Sequence, residues 1–291
     1  MRLNYSTGLL GRNNEGNALQ RATPYGNSAH VRSAAGELIA LGAEVRRWGG
    51  LAWADTRFRY RRTTFGPFWI TLSMAATVFS VGLVFGTLFG NDPSQYLPYF
   101  AAGIIVWTLI SQCILEGSLV YVQAAGHIKS TPVPLPLHVY RLLGRQLILL
   151  GHNALLPVVL WFLFRWPIDA TVLLAIPGLA IVTAALFGAM LTVGIVCTRY
   201  RDLHQIIAAL MSLLFLLTPI IWMPGSVRSP WIDLVVYANP FHYLVEIVRQ
   251  PLLGGVPDLR MWLSATAIAL ISLLVGIGLH ARLRHRVVYW L

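Results

Sequence analysis

Six long apolar stretches constrain this chain more than any other feature of its sequence. Crossing the hydrocarbon core of a bilayer, about 30 Å thick, takes roughly 20 apolar residues at 1.5 Å per residue. Backbone N–H and C=O groups cannot stay unpaired in lipid, so each stretch must be helical. The stretches are Phe68–Leu88, Leu97–Val122, Leu147–Phe164, Thr171–Cys197, Gln205–Met223 and Trp262–Leu279. The sequence therefore predicts an all-α integral membrane protein with six transmembrane helices.

The distribution of basic residues predicts the orientation of these spans. Lys and Arg concentrate in cytoplasmic loops. With a cytoplasmic N-terminus, 18 of the 22 Lys and Arg residues lie on the cytoplasmic side. The opposite side then receives Arg165, Arg228, Arg249 and Arg260. We therefore expect both termini to be cytoplasmic. The net charge of +11 is spread over juxtamembrane segments. This distribution favours contacts with membrane lipids and disfavours a nucleic acid as partner.

The chain before the first span divides into two parts. Residues 1–35 are rich in Asn, Gly, Ser and Ala and have no apolar run, which predicts a flexible cytoplasmic tail rather than a signal peptide. In residues 36–62, apolar side chains recur near helical spacing opposite charged ones. This pattern is typical of an amphipathic helix that lies in the membrane interface. Residues 63–291 would then form the six-helix transmembrane domain.

Polar side chains inside the second and third spans are the strongest candidates for a role beyond packing. Thr108, Gln112 and Glu116 follow one another at i+4 spacing and share one helix face. Ionisable groups at this depth normally face the interior of a bundle or a wet cavity. Two roles are open for Glu116: a functional residue of a channel, or a structural ion pair with Arg141 or Arg145.

The segment between the fifth and sixth spans carries two helix-start signals. Ser229-Pro230 and Asn239-Pro240 each place a capping side chain before a proline at the first helical position. Each signal precedes about ten mostly apolar residues, too few to span a bilayer. We therefore predict a re-entrant helical hairpin that dips into the outer leaflet. We also expect Pro219 to kink the fifth span just before the hairpin.

Motifs for catalysis are missing from the sequence. Lys129, the one lysine, lies in Gly-His-Ile-Lys-Ser, which is not a phosphate-binding loop. The histidines form no compact metal pattern, and there is no Gly-x-Ser-x-Gly nucleophile motif. We therefore expect no catalytic residues, no metal site and no cofactor in this chain.

Several short motifs, in this order, resemble the membrane subunits of ABC-2 type exporters that move polyprenyl-linked polysaccharides. The resemblance covers the chain from about Gly36 to the C-terminus. The motifs are Arg61-Arg62-Thr63-Thr64-Phe65-Gly66-Pro67-Phe68-Trp69, Arg199-Tyr200-Arg201-Asp202, Thr218-Pro219-Ile220-Ile221-Trp222, Asn239-Pro240-Phe241 and Tyr289-Trp290-Leu291.

The resemblance implies a homodimer in the bacterial cytoplasmic (inner) membrane, bound to two copies of a separate ATPase subunit that holds ATP and Mg²⁺. It implies that the ATPase docks on the loop formed by His127, Ile128, Lys129, Ser130, Thr131 and Pro132. It places the entry of a lipid diphosphate near Arg59, Arg61 and Arg62. Candidate residues of the channel or its gate are Trp107, Glu116, Tyr121, Trp222, Trp231, Tyr237, Phe241 and Tyr243.

The resulting hypothesis is ATP-driven export of an undecaprenyl-linked polysaccharide such as O-antigen, a step in lipopolysaccharide biosynthesis. The same machinery could instead export capsule, teichoic acid, galactan, or a small lipid or drug. An enzyme of another class, a membrane-embedded glycosyl- or acyltransferase, would need a catalytic His or Asp, for which His152 and His242 are the candidates. An ion-coupled carrier is disfavoured because no series of ionisable groups crosses the spans.

Overall fold

The computed structural model describes residues 34–61, 66, 68–88, 90–131, 133–164, 169–224 and 230–291. Within these residues the chain is helical and contains no strand, so the all-α prediction is confirmed. We number the α-helices in chain order. They are α1 (Ala34–Ala43), α2 (Val45–Tyr60), α3 (Phe68–Leu88), α4 (Pro93–Ser118), α5 (Val120–Gln123), α6 (Ala125–Ser130), α7 (Pro136–Asn153), α8 (Leu155–Phe164), α9 (Ala175–Arg199), α10 (Leu203–Leu217), α11 (Pro230–Ala238), α12 (Pro240–Leu252) and α13 (Leu259–Trp290). A 3₁₀ helix, Ala170–Leu174, leads into α9.

Five helical segments within the described residues are long and apolar enough to cross a membrane. These are α3, α4, the nearly continuous pair α7–α8, the 3₁₀ helix with α9, and α13. The predicted fifth span corresponds to α10, which has 15 residues. At 1.5 Å per residue, α10 is about 22 Å long, shorter than a hydrocarbon core. The multi-pass architecture is therefore confirmed, whereas the number six stays a prediction.

Helix α4 lies at the centre of the bundle. In its most apolar 18-residue window, 72% of the residues are buried, against 11% for α3 and 17% for α13. Asp92 starts the helix, since its side chain accepts a hydrogen bond from the Ser94 N–H at 2.9 Å and Pro93 follows it. The outer helices instead expose large apolar side chains such as Leu83, Val84 and Leu274, as a lipid-facing surface requires.

Close backbone contact joins α9 to α13. A Cβ atom at Gly276 would lie 2.5 Å from the Gly188 carbonyl oxygen, so neither helix tolerates a larger residue here. The hydroxyl of Ser272 donates a hydrogen bond to the Ala185 carbonyl at 2.7 Å across the same contact. Small residues commonly permit such an approach between membrane helices. Gly188 and Ala185 of α9 therefore pack against α13 within the subunit.

The predicted interface helix consists of two helices, because α1 and α2 are separated at Glu44. Leu38 and Leu41 of α1 are buried, and the Leu38 carbonyl accepts a hydrogen bond from the Tyr140 hydroxyl at 2.9 Å. Helix α2 packs against α7 and leaves Trp53 and Phe58 exposed. An exposed aromatic face beside a polar one suits a membrane interface. The tail, residues 1–35, lies outside the described residues except for its last two.

The predicted helix start at Asn239-Pro240 is observed. Asn239 separates α11 from α12, and its side-chain oxygen accepts a hydrogen bond from the Phe241 N–H at 3.0 Å. Ser229 lies outside the described residues. Helix α10 ends at Leu217, so Pro219 follows the helix and does not kink it. The re-entrant position of the α11–α12 hairpin stays a prediction.

Candidate functional site

Two layers of ion pairs connect α2 to the bundle. Arg141 of α7 binds both carboxylate oxygens of Asp55. One turn along, Glu116 of α4 forms an ion pair with Arg145 of α7, and Arg59 Nη1 of α2 lies 3.8 Å from Glu116 Oε1. The layers stack because Asp55 and Arg59 on α2, like Arg141 and Arg145 on α7, are four residues apart. The structural ion pair with Arg145, one of the two roles open for Glu116, is present, and a role in a channel stays a prediction.

Two cavities meet at Glu116. The first has a volume of about 280 Å³ and lies between α2, α4, α6 and α7. Its walls are mostly polar and charged. They include Asp55, Glu116, Gln123, His127, His138, Arg141 and Arg145.

The second cavity has a volume of about 220 Å³ and lies between the end of α2, the start of α3, and the facing sides of α4 and α7. Charged groups stand at one end, and amides and aliphatic side chains line the rest. The lining residues are Arg59, Ile70, Ile105, Thr108, Leu109, Gln112, Glu116, Gln146, Leu149, Leu150 and Asn153. An amphipathic cavity of this kind suits the polar end of an amphiphile better than a small ion.

The predicted ATPase-docking loop contains a short helix, α6. Ile128 is buried and anchors it, whereas His127, Lys129, Ser130 and Thr131 are exposed. The Thr131 N–H donates to the His127 carbonyl at 3.0 Å, which closes the last turn. Pro132 lies outside the described residues. The result is a compact polar surface held by one apolar anchor.

An irregular backbone segment, Thr218–Trp222, follows α10, and polar side chains pair its carbonyl groups. The Tyr99 hydroxyl donates to two of its carbonyl oxygens, at 2.9 and 3.3 Å, and the Tyr96 hydroxyl donates to a third. The Asn239 amide donates to the hydroxyl at the start of the segment at 2.8 Å. Unpaired carbonyl groups are costly wherever water is excluded, so these donors stabilise the irregular path.

Arg249 of α12 is the most deeply buried charge of this region. Its side chain is 1% exposed and forms an ion pair with Glu246 one turn earlier. It also donates to the Pro219 carbonyl at 2.7 Å and lies 4.0 Å from the ring centre of Tyr99. Gly103 on α4 makes room for it, because a Cβ atom there would lie 3.0 Å from Arg249 Nη1. Arg249 thus connects α4, α12 and the segment after α10.

The structure brings some of the predicted channel aromatics together. Trp107 is buried, with its ring 5.8 Å from those of Phe215 and Phe241. The Tyr243 hydroxyl donates to the Tyr237 carbonyl at 2.9 Å, next to the start of α12. The rings of Trp107, Phe215 and Phe241 form an aromatic layer between α4, α10 and α12.

Other predicted site residues lie apart from this layer. Trp231 is 76% exposed on α11, and Trp222 donates to the Leu216 carbonyl at 3.1 Å. Tyr121 is fully buried, with its ring against Gly194 of α9, so it presents no surface of the single chain to a cargo.

Two of the predicted entry arginines, Arg59 and Arg61, lie within the described residues. Arg59 reaches Glu116, and Arg61 is exposed at the end of α2. Arg62 lies outside the described residues.

Several residues of these networks were not among the predicted site residues. No individual site role was predicted for Asp55, Gln146, Tyr99 or the Glu246–Arg249 pair. The spacing of Glu246 and Arg249, three residues apart in an apolar run, was a usable signal because such charges need a partner nearby.

Comparisons with known proteins identify the family. The family described as ABC-2 type transporter matches residues 50–253 of the chain. The O-antigen export system permease protein RfbA of Klebsiella pneumoniae is 21% identical over 238 residues, which cover 80% of this chain and 90% of that protein. The matched residues include the α2 ion pairs, both cavities, α6 and the α11–α12 hairpin. With well over half of its length matched, the chain belongs to the ABC-2 type transporter family.

Proposed function

We propose that this chain is the membrane-spanning permease subunit of an ATP-driven exporter that moves an undecaprenyl-linked, O-antigen-like polysaccharide across the bacterial cytoplasmic membrane. Membership in the ABC-2 family makes it a multi-pass transport component. The observation that carries the choice of cargo is the similarity to an O-antigen export permease along 90% of that protein.

The proposed assembly contains two copies of this chain and two copies of an ATPase subunit that binds ATP and Mg²⁺. The ATPase contact is assigned to the α6 segment from His127 to Pro132. The exposed polar side chains of α6 around the buried Ile128 support this assignment, because a docking element must be both accessible and firmly attached.

The proposed topology has six spans and cytoplasmic termini. In this topology α10 and the segment after it cross the membrane together, and the α11–α12 hairpin enters the outer leaflet. Irregular backbone is tolerated at membrane depth where its polar groups are paired within the protein. The donors Tyr96, Tyr99 and Arg249 provide that pairing for Thr218–Trp222, which supports an embedded position for this segment.

Loss of the gene tests the cargo. A strain without it should lose the surface polysaccharide and accumulate the lipid-linked glycan on the cytoplasmic face of the membrane, measured by glycan extraction and surface labelling. Normal surface glycan together with altered sensitivity to small lipids or drugs would instead assign a small amphiphile as cargo. Transfer of an activated sugar by the purified chain alone would assign a membrane-embedded transferase.

Charge reversal tests the ATPase contact. Lys129→Glu on α6 should weaken co-purification of the ATPase and reduce export. Arg260→Glu is the matched control, because Arg260 is also exposed but lies at the start of α13, outside the α6 segment. Equal ATPase recovery from both variants and the wild type would show that α6 is not the docking element.

A further inference from the structure

Glu116 lines both cavities and stands between two arginines, Arg59 of the 220 Å³ cavity and Arg145 of the 280 Å³ cavity. Arg145 contacts one of its carboxylate oxygens and Arg59 lies 3.8 Å from the other. The contact with Arg59 is the looser one, and the Arg59 side chain is 50% exposed, compared with 16% for Arg145. An anion that enters along α2 therefore meets Arg59 first and can displace Glu116 from it.

Buried amides extend the polar lining beyond the arginines. Gln146, next to Arg145 on α7, is 3% exposed, and its Nε2 has no hydrogen-bond partner among the described residues. Asn153 is 4% exposed, and its Oδ1 is equally unpaired. Both residues line the cavity. A buried donor without a partner destabilises a fold unless a ligand or water pairs it. The cavity, far larger than the ~15 Å³ that one water needs, has room for such a ligand.

We propose that Glu116 is a built-in competitor at a binding site for the phosphate group of an amphiphile. In the ligand-free state the carboxylate offsets one of the two positive charges of Arg59 and Arg145. When a phosphate arrives, the two guanidinium groups exchange the carboxylate for phosphate oxygens, and Gln146 donates to the same anion. Guanidinium groups suit this exchange because they bind carboxylate and phosphate with the same two-pronged geometry.

The walls beyond the charged end favour an amphiphile over a free anion. Ile105, Leu109 and Leu149 line the cavity next to the amides. From Glu116 back to Thr108 the lining extends eight residues along α4, about 12 Å at 1.5 Å per residue. A headgroup at the arginines can therefore place the start of its hydrocarbon chain against apolar side chains. The assignment of the phosphate to a lipid-linked cargo rests on the proposed function, whereas the competition by Glu116 does not.

The test is a binding measurement on the full-length chain in nanodiscs of neutral phosphatidylcholine. Calorimetric titration with farnesyl diphosphate, a short polyprenyl diphosphate, should show tighter binding by Glu116→Gln than by the wild type, by about tenfold or more, since a competing charge is removed. Gln146→Leu should weaken binding. The double variant Glu116→Gln/Arg145→Gln, which removes both charges of the pair, should bind farnesyl diphosphate more weakly than Gln146→Leu does.

Glu44→Gln is the matched control, because it changes the net charge by the same amount on the exposed Glu44–Arg47 pair beside the start of α2. An equal gain in Glu44→Gln, or no gain in Glu116→Gln, would overturn the proposal. If Glu116→Gln does not elute as a folded protein, Glu116→Asp replaces it. The shorter carboxylate reaches the arginines less well, so a smaller gain is expected and no gain overturns the proposal.

Two further arms identify the source of the phosphate. The same gain with inorganic pyrophosphate would support the site and assign the phosphate group alone as its ligand. A gain confined to farnesyl diphosphate or to phosphatidic acid in the nanodisc would assign a lipid headgroup. The measurement needs neither ATPase nor glycan. Phosphate binding without glycan export would therefore refute the proposed function alone, and export without the Glu116 effect would refute this site alone.

Discussion

Arg249→Met should destabilise the protein more than any exposed substitution, because it leaves a buried charge without a partner. Met is similar in length to Arg and carries no charge. The substitution removes the ion pair to Glu246, whose side chain is 8% exposed, and the hydrogen bond to the Pro219 carbonyl. Glu246 then lies in the interior without its ion-pair partner, whereas the Pro219 carbonyl still accepts a hydrogen bond from the Tyr99 hydroxyl at 2.9 Å.

The expected size follows mainly from the loss of the ion pair. Removing one partner of a buried ion pair costs about 3–5 kcal/mol. The lost hydrogen bond to Pro219 adds little, because the Tyr99 hydroxyl still donates to that carbonyl. A total of about 4 kcal/mol corresponds to a decrease in Tm of roughly 8–16 °C, at about 2–4 °C per kcal/mol for a chain of this size.

The assay is thermal unfolding in detergent, followed by size-exclusion chromatography of the soluble fraction. Arg260→Met is the control, because it removes an exposed arginine and should leave Tm nearly unchanged. The double variant Glu246→Gln/Arg249→Met should recover more than half of the loss, since no charge is left unpaired. A Tm of Arg249→Met equal to that of Arg260→Met, or a double variant less stable than the single one, would refute the reasoning.

Two further predictions concern helix packing and pH. Gly276→Ala should destabilise the contact between α9 and α13 by about 1–3 kcal/mol, because its Cβ would overlap the Gly188 backbone. In the same unfolding assay the control Gly278→Ala, whose Cβ meets open space, should be neutral or stabilising. Equal effects of the two variants would contradict the close contact. The pKa of the Glu37 carboxyl lies below its ordinary value of 4.5 because His280, whose Nε2 is 3.8 Å from Glu37 Oε2, and the Arg284 guanidinium favour the charged form. The stabilisation that Glu37 gives to the contact of α1 with α13 is therefore fully present above pH 4.5 and is lost as the pH falls through the lowered pKa. Hydrogen exchange of Ala34–Ala43 can follow this loss. Glu37→Gln should remove the pH dependence, and an unchanged pH dependence would exclude Glu37 as its cause.

Local signals in the sequence predicted several elements correctly. The start of α12 follows from a capping Asn before a Pro, which satisfies the free N–H groups of the first turn without any distant contact. The spans α3, α9 and α13 follow from apolar length, which the bilayer dictates. The face shared by Gln112 and Glu116 follows from helical spacing, and both side chains line the same cavity.

Contacts between distant segments could not be predicted in the same way. Arg141 pairs with Asp55, 86 residues earlier, and helical spacing shows which face a charge occupies but not which helix lies opposite. The end of α10 at Leu217 is hidden in a continuous apolar run, because hydropathy does not register that neighbouring side chains pair the backbone after it. The ring of Tyr121, a predicted channel residue, is buried against Gly194, and this contact depends on how α9 packs. Its role in a channel stays a prediction.

Reconstitution of transport tests the central claim most directly. The purified chain and its ATPase are inserted into proteoliposomes, and movement of an undecaprenyl-linked glycan is measured with a membrane-impermeant glycosidase. The account predicts that the glycan changes sides when both chains and hydrolysable ATP are present, and stays in place when any of the three is left out. Glycan movement by this chain without the ATPase, or nucleotide hydrolysis by this chain alone, would contradict it.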